Sequence, residues 1–367
     1  MRYLIFTLAL LVLPSFGSAH HSRAEFVDEI REIEGEVVEV AWRNPHPVLT
    51  LRTTNDAGED ELWDVEGWQS ANVLSRKGVA GDVFTVGQNV RAAVRRSNRR
   101  PQLLLGISIS LGDGTQALLR PGFEPYWPDE TVVGSNAPTL ASINSDSTNS
   151  QAIGLFRVWS FVDREGPLTL SNDGDGVGVG TARPFEDQFG AVEGLPLTEA
   201  ALQRQANFDE LADHPMWNCD PVGMPVVMDT GLPVQFIDQG ENILLRIEQN
   251  DATRTIHLNP NPGAENQPPS ILGHSVGHWE NNSLIVRTTN STYPYLDDDG
   301  TAKSENMEIM ERFTLGADGN SLGWEAMLTD PEFLTEPIVV RMNWEWVSGE
   351  AIKPWNCVVS GSGRAAG

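Results

Sequence analysis

Three histidines near the start of the chain have the residue types and positions of a copper site. His20 and His21 directly follow a stretch typical of a secretory signal peptide, and His46 lies in an Asn-Pro-His segment. If cleavage occurs before His20, a free terminal amine, two adjacent imidazoles and a distant third imidazole can surround Cu(II) in a tetragonal site. If the strands pair as the pattern indicates, we expect Glu66 and Trp63 to line the same rim as His46. The alternative interpretation is that the doublet is only the polar start of a tail and that His46 caps a turn.

A second set of polar side chains, late in the chain, has the residue types needed for acid–base catalysis. A His/Glu pair in a semi-apolar pocket can act as general acid and general base. If the strands that carry this set line one barrel interior, we expect the six side chains to converge. The alternative is that they hydrogen-bond hairpin ends without any catalytic role. The set consists of His257, His274, His278, Glu280, Glu311 and Arg312.

The sequence contains two cysteines, Cys219 and Cys357. In an oxidising compartment a single pair of cysteines predicts a disulfide. A reactive thiol is the alternative, but neither a Cys-x-x-Cys motif nor a cysteine-protease context accompanies it.

The first nineteen residues predict export. They contain a positive charge, an apolar core and small residues before the expected cleavage site. The apolar core is shorter than the roughly 20 residues of a spanning helix, and charges, Pro or Gly interrupt every later apolar run. We therefore expect a periplasmic or secreted protein without membrane insertion. The formal net charge of −26, most of it after residue 120, disfavours nucleic acid as a partner.

Residues 20–120 are predicted to form a small barrel of the oligonucleotide/oligosaccharide-binding (OB) type. Apolar residues alternate in five short runs, which is the pattern of half-buried strands. One helical stretch, "GWQSANVLSRKGV", lies among them. Five strands with one helix inserted favour a small, partly closed barrel.

A Ser/Asn/Thr-rich linker over residues 121–153 is predicted to lead into a second domain over residues 154–360. Its one convincing helix is expected near residues 198–212, where Thr198 can cap the start. Six or more strands separated by turn signals then predict an antiparallel up-and-down, lipocalin-like barrel or a curved sheet. The fold class is therefore mainly β.

Two resemblances accompany these patterns. Residues 19–111 resemble a secreted bacterial family of unknown function that opens with Ala-His-His-Ser and carries later Asn-Pro-His and Trp-x-Val-Glu segments. Here these stand as Ala19-His20-His21-Ser22, Asn44-Pro45-His46 and Trp63-Asp64-Val65-Glu66. Residues 217–357 resemble a second uncharacterised secreted type through "CDPVGMP", "GHSVGHWENNSLIV" and "WNCV". This chain departs from that type at Lys303 and Glu308, where relatives carry histidine. Neither resemblance implies an activity.

Three functional hypotheses follow from the sequence. In the first, a secreted protein binds a small hydrophobic ligand in its second barrel and copper at its mature amino terminus. In the second, the protein is a lyase, isomerase or hydrolase that uses the His/Glu set. The third is a structural envelope protein. An apolar pocket with converging polar side chains would favour the enzyme, and a filled barrel would favour the structural role.

Overall fold

A computed structural model describes residues 25–120, 124–134, 154–161, 195–228, 230–258, 268–317 and 319–359. The first part of the chain forms β1 (Phe26–Ala41), β2 (Val48–Thr54), β3 (Asp60–Glu66), α1 (Ala71–Arg76), β4 (Asn89–Ser97), β5 (Leu103–Ser110), β6 (Thr115–Leu118) and β7 (Thr131–Val132).

Strands β1–β5 close into a small barrel, which we call the first barrel. The 16-residue strand β1 pairs with β4 through its first half and with β2 through its second half. A parallel pairing of β3 with β5 closes the circle. α1 lies between β3 and β4, and the Ser70 side chain caps it by accepting a hydrogen bond from Val73 N. The OB-like prediction is confirmed.

The second barrel contains nine strands. They are β8 (Val158–Phe161), β9 (Val234–Asp238), β10 (Asn242–Ile247), β11 (Ala252–His257), β12 (His274–Glu280), β13 (Ser283–Thr289), β14 (Glu308–Leu315), β15 (Ser321–Thr329) and β16 (Ile338–Glu345). Each strand pairs with the next in chain order, and β16 pairs with β8 to close the barrel. The prediction of a mainly β fold with a larger barrel is confirmed.

One strand pair departs from the predicted antiparallel meander. β11 and β12 are parallel, with Ile256 beside Ser275, whereas the other neighbours in the barrel are antiparallel. The reason is geometric, because strands that alternate in direction can close a circle only when their number is even. A nine-strand barrel needs one parallel pair.

Apolar side chains fill the interior of the second barrel. They alternate with outward-facing polar residues along each strand, as expected for a barrel wall. The described interior residues pack into one core, whose largest fully buried side chains are Trp159, Trp324, Trp344, Phe236 and Phe313.

The predicted helix near residues 198–212 is two short helices. α2 (Glu199–Ala206) is capped by Thr198, as expected, and Asn207 is its C-cap residue. α3 (Glu210–Asp213) begins after Asp209, whose carboxylate accepts hydrogen bonds from Leu211 N and Ala212 N. A local cap residue therefore divides what the sequence pattern suggests is continuous.

The two barrels contact each other directly. Cys219 and Cys357 form the predicted disulfide, 138 residues apart in sequence, and residues beside both cysteines touch the first barrel. The described part of the predicted linker, residues 124–134, packs on the first barrel, where Arg91 stacks over Trp127. Across the described ranges, no helix combines the length and the apolar character needed to cross a membrane.

Candidate functional site

His46 lies against a buried carboxylate at one end of the first barrel. Its Nδ1 atom is 2.9 Å from Glu66 Oε1, and the Glu66 side chain is only 1% exposed. The register of β2 and β3 explains this approach, because Glu66 pairs with Val48 and His46 precedes Val48 by two residues. The two side chains therefore meet where the β1–β2 loop (residues 42–47) enters β2.

A short chain of charged groups connects this pair to the start of the described chain. Arg100 Nη1 lies 3.7 Å from Glu66 Oε2. The Arg100 guanidinium also bonds to the buried carboxylate of Glu25, with Nε 3.1 Å from Oε2. Ser97 Oγ donates a further hydrogen bond of 2.6 Å to Glu25. The first described residue is thus fixed close to the His46–Glu66 pair.

The other two residues of the predicted copper site, His20 and His21, lie outside the described residues. Within the described ranges, no three His, Cys, Asp or Glu side chains are grouped closely enough to hold a metal ion. The described residues alone therefore do not form a three-ligand metal site at His46.

His257 and His274 are brought together, but on the outer surface of the second barrel. Their rings stack with centroids 5.1 Å apart, and His257 Nδ1 is 2.8 Å from Asn242 Oδ1. Partial burial, and secondly the neighbouring His257, lower the pKa of His274. The neighbouring residues that point inward on these strands are Ile256 and Ser275.

His278, Glu280 and Arg312 form a separate exposed cluster on the outer wall. His278 Nε2 is 3.0 Å from Glu280 Oε1, and Arg312 Nη2 donates to Glu280 Oε2 over 3.3 Å. The hydrogen bond to His278 is the largest cause of the lowered pKa of Glu280. These side chains are half exposed, so the cluster offers no enclosed pocket.

Glu311 alone among the six points into the second barrel. Its carboxylate pairs with Arg254, whose Nη1 donates to Oε1 over 2.9 Å, and Thr288 Oγ1 and Trp324 Nε1 each donate over 3.1 Å. Arg254 Nε also donates to Ser275 Oγ over 2.7 Å. This group, which we call the Arg254–Glu311 network, is enclosed in the core.

The six residues of the predicted acid–base set therefore lie in three places, and the expected convergence does not occur. The reason is strand geometry, since successive side chains point to opposite faces. Glu311 and Arg312 are neighbours on β14 and cannot share an interior. His278 and Glu280 point outward, on the same face of β12 as His274.

Lys303 and Glu308, the two departures from the second resemblance, each have a partner in the structure. Lys303 is buried and donates from Nζ to Ser291 O and Ser304 O over 2.7 and 3.1 Å. This burial lowers the pKa of Lys303 to about 8. Glu308 lies on the outer wall and pairs with Arg287.

Aromatic side chains gather at one end of the second barrel. Trp279, at the end of β12, is 43% exposed and meets Phe156 edge to face at a centroid distance of 6.3 Å. The adjacent Arg157 lies over Trp346 at 5.1 Å and donates to Gly319 O. We call Phe156, Arg157, Trp279 and Trp346 the aromatic mouth.

A family model described as "Family of unknown function (DUF6152)" matches residues 9–102. The matched range includes His46, Glu66 and Arg100, and it is consistent with the resemblance of the first domain to a family of unknown function. No curated protein and no solved structure matches the chain.

Several residues of these sites were missed by the sequence analysis. Arg254 lies two residues before Ile256 on β11, so both side chains point into the barrel. The alternation of side chains along the strand could therefore have predicted a buried cation at Arg254. Trp217 carries no such signal, because its contact with His46 depends on how the two barrels dock. Arg100 lies in the β4–β5 loop, where alternation does not predict its ion pairs with Glu25 and Glu66. Trp63, expected beside His46 and Glu66, packs instead against the core of the first barrel.

Proposed function

We propose that this is an exported protein that binds Cu(II) at its mature amino terminus, with His46 as the distant imidazole ligand. The observation that carries the proposal is the 2.9 Å approach of Glu66 Oε1 to His46 Nδ1. Histidine ligands typically donate their second ring N–H to a carboxylate, which fixes the tautomer and orients the ring. A proton on Nδ1 makes Nε2 the coordinating nitrogen.

The position of Glu25 supports a contribution from the terminal amine, His20 and His21. Glu25 is held to Arg100, and Arg100 also approaches Glu66. Five residues precede Glu25 in a chain that begins at His20, and an extended segment of that length reaches about 17 Å. The amine and both imidazoles are therefore within reach of His46. The net charge of −26 further favours a cationic ligand.

Replacing Glu66 with Gln is expected to weaken Cu(II) binding by about ten- to a hundredfold, because the amide no longer orients the imidazole as a carboxylate does. His46→Ala is expected to weaken it at least as much and to remove one nitrogen from the copper spin-resonance spectrum. The measurement is a competition titration on protein whose amino terminus is confirmed as His20 by mass spectrometry.

His278→Ala is the matched control, because it removes an imidazole that is paired with a glutamate far from the amino terminus in sequence. It should leave the titration unchanged. If His46→Ala binds Cu(II) as tightly as the wild type and gives the same spectrum, the three-histidine site is wrong.

The aromatic mouth favours a second candidate function, which is binding of a small, flat, neutral hydrophobic molecule by the second barrel. The described interior is occupied by its own side chains, so we place the ligand at the end of the barrel rather than inside it. An exposed indole beside a second ring supplies the faces on which a flat apolar molecule stacks. Barrel ends are a common location of ligand sites.

Trp279→Ala is expected to lower the affinity for the neutral aromatic probe N-phenyl-1-naphthylamine by about tenfold, which corresponds to about 1.4 kcal/mol. The measurement is a fluorescence titration of the probe. Met327→Ala, which shortens a similarly exposed apolar side chain, is the control and should bind like the wild type. Equal affinities in all three proteins would remove the mouth as the ligand site.

The enzyme and structural hypotheses stay predictions. The dispersed positions of the six acid–base residues do not support a catalytic centre, and the packed second barrel is compatible with a structural role.

A further inference from the structure

The loops that usually carry ligands in OB-like barrels face the second barrel in this protein. Those loops are the β1–β2 and β4–β5 connections, here residues 42–47 and residues 98–102. Both contact residues of the second barrel or its adjoining segments. The loop face of the first barrel is therefore occupied by the same chain.

The β1–β2 loop is held by the segment around Cys357. Asn44 is buried, its Nδ2 donates to Trp355 O, and its carbonyl accepts from Val358 N over 3.0 Å. Asn44 and Cys357 also form an isolated parallel bridge. The loop is thus hydrogen-bonded to residues on either side of Cys357.

The segment before Cys219 contacts both the β1–β2 loop and the β4–β5 loop. The Trp217 ring meets the His46 ring edge to face, with centroids 5.7 Å apart. The Arg100 guanidinium lies 5.1 Å from the centroid of the Trp217 ring. Nearby, Arg99 forms two hydrogen bonds of 2.7 and 2.9 Å with Asp209.

We propose that the second barrel completes the His46 site. In this proposal the Cys219–Cys357 disulfide joins the two segments that close over the β1–β2 loop, and Trp217 is a positioning residue for the His46 imidazole. Only the metal arm of the test rests on the proposed Cu(II) function. The positioning of the His46 imidazole by Trp217 is tested in the metal-free protein.

The physical argument is that His46 has two contacts, one at its Nδ1 atom and one with the Trp217 ring. Glu66 approaches Nδ1, and the Trp217 ring packs edge to face against the imidazole. A ring in contact with both is restricted in rotation, and its Nδ1 atom stays close to the carboxylate. The disulfide links Cys219, just after Trp217, to Cys357, which forms a bridge with Asn44. It therefore holds the Trp217 indole in a fixed position relative to the β1–β2 loop.

The first arm of the test uses the full-length metal-free protein and nitrogen NMR of the His46 ring. We expect the wild type to show one tautomer with the proton on Nδ1, Trp217→Ala to show a mixture, and Trp217→Phe to restore the single tautomer. Trp279→Ala, which removes an indole at the aromatic mouth, is the control. A single unchanged tautomer in Trp217→Ala would overturn the positioning role.

The second arm measures amide hydrogen exchange of residues 42–47. We expect exchange to accelerate at least tenfold in the Cys219→Ala/Cys357→Ala variant, while β13 and β14 stay protected. If the double variant does not fold, reduction of the folded wild-type protein with a phosphine provides the same comparison. Unchanged exchange in residues 42–47 after loss of the disulfide would contradict the proposal.

The metal arm separates the two ideas. If Trp217→Ala weakens Cu(II) binding and Trp217→Phe restores it, the second barrel contributes to the metal site. If the wild type binds no Cu(II), the proposed function fails while the tautomer and exchange measurements still decide the positioning. If the wild type binds Cu(II) but neither measurement responds to the variants, the further inference is wrong and the copper proposal stands.

Discussion

Glu311→Ala is expected to lower the free energy of unfolding by about 3–5 kcal/mol, which is the usual cost of removing one partner of a buried ion pair. The side chains of Arg254 and Glu311 are 1% and 0% exposed. Without Glu311, the Arg254 charge stays in the core with two hydroxyl groups and a methionine sulfur as its near partners. Thr288 and Trp324 would also lose their acceptor. Urea unfolding followed by circular dichroism measures the change.

Glu308→Ala is the matched control for this prediction. Glu308 lies on the same strand and pairs with an arginine, Arg287, but on the outer wall, where the two side chains are 39% and 57% exposed. Exposed pairs typically contribute about 0–1 kcal/mol. A loss at Glu311 no larger than that at Glu308 would show that the Arg254–Glu311 network contributes nothing specific.

A paired replacement distinguishes charge from packing. Arg254→Met with Glu311→Leu is expected to be more stable than Glu311→Ala, because replacing both ions by apolar groups removes the uncompensated charge. If the double variant is as unstable as the single one, the loss comes from the disturbed core volume and the electrostatic explanation fails.

Much of the fold could be predicted because alternation and turn residues are local signals. The strands of the first barrel, α1 and the β-hairpins after β12 all follow such signals. The parallel β11–β12 pair could not be predicted, because it depends on the total number of strands. β8 (Val158–Phe161) lies far from the rest of the second barrel in sequence, and local patterns do not show that it closes the circle.

The candidate site was predictable only where two residues share a strand register. His46 and Glu66 were expected on the same rim, and the β2–β3 pairing places them there. Trp217 is at the same site because two barrels dock, and docking depends on surfaces that no periodicity describes. The prediction that Glu311 and Arg312 share one barrel interior was wrong, and the sequence already shows why. Adjacent residues on a strand point to opposite faces of the sheet.

The second large effect is expected at Glu248, where the two barrels meet. Its carboxylate is fully buried and accepts hydrogen bonds from Arg76 Nη1 and Nη2 at 2.7 and 2.6 Å, from Asn72 Nδ2 at 3.0 Å and from Lys353 N at 2.8 Å. Burial acts to lower the pKa of Arg76, but its bonds and ion pairs with Glu248 and Glu350 outweigh burial and raise it.

Glu248→Ala is therefore expected to cost about 3–5 kcal/mol of docking free energy and to make the first barrel unfold at a lower temperature than the second. Scanning calorimetry would detect this as two separated transitions. Glu36→Ala is the control, because the Glu36–Arg52 pair of the first barrel is 40% and 44% exposed and its loss should leave the calorimetric profile unchanged.

The Cys219–Cys357 disulfide remains closed in Glu248→Ala. The variant therefore distinguishes attachment of the barrels through the Glu248 network from attachment through the disulfide-linked segments. If Glu248 holds the barrels together through a buried charge network, the single transition of the wild type should persist in added salt, because a buried pair is only weakly screened. If instead one transition persists at the wild-type midpoint, the disulfide-linked segments over the β1–β2 loop suffice for docking and the Glu248 network is dispensable. Loss of Glu248 would then also leave hydrogen exchange in residues 42–47 unchanged, which the same samples can establish.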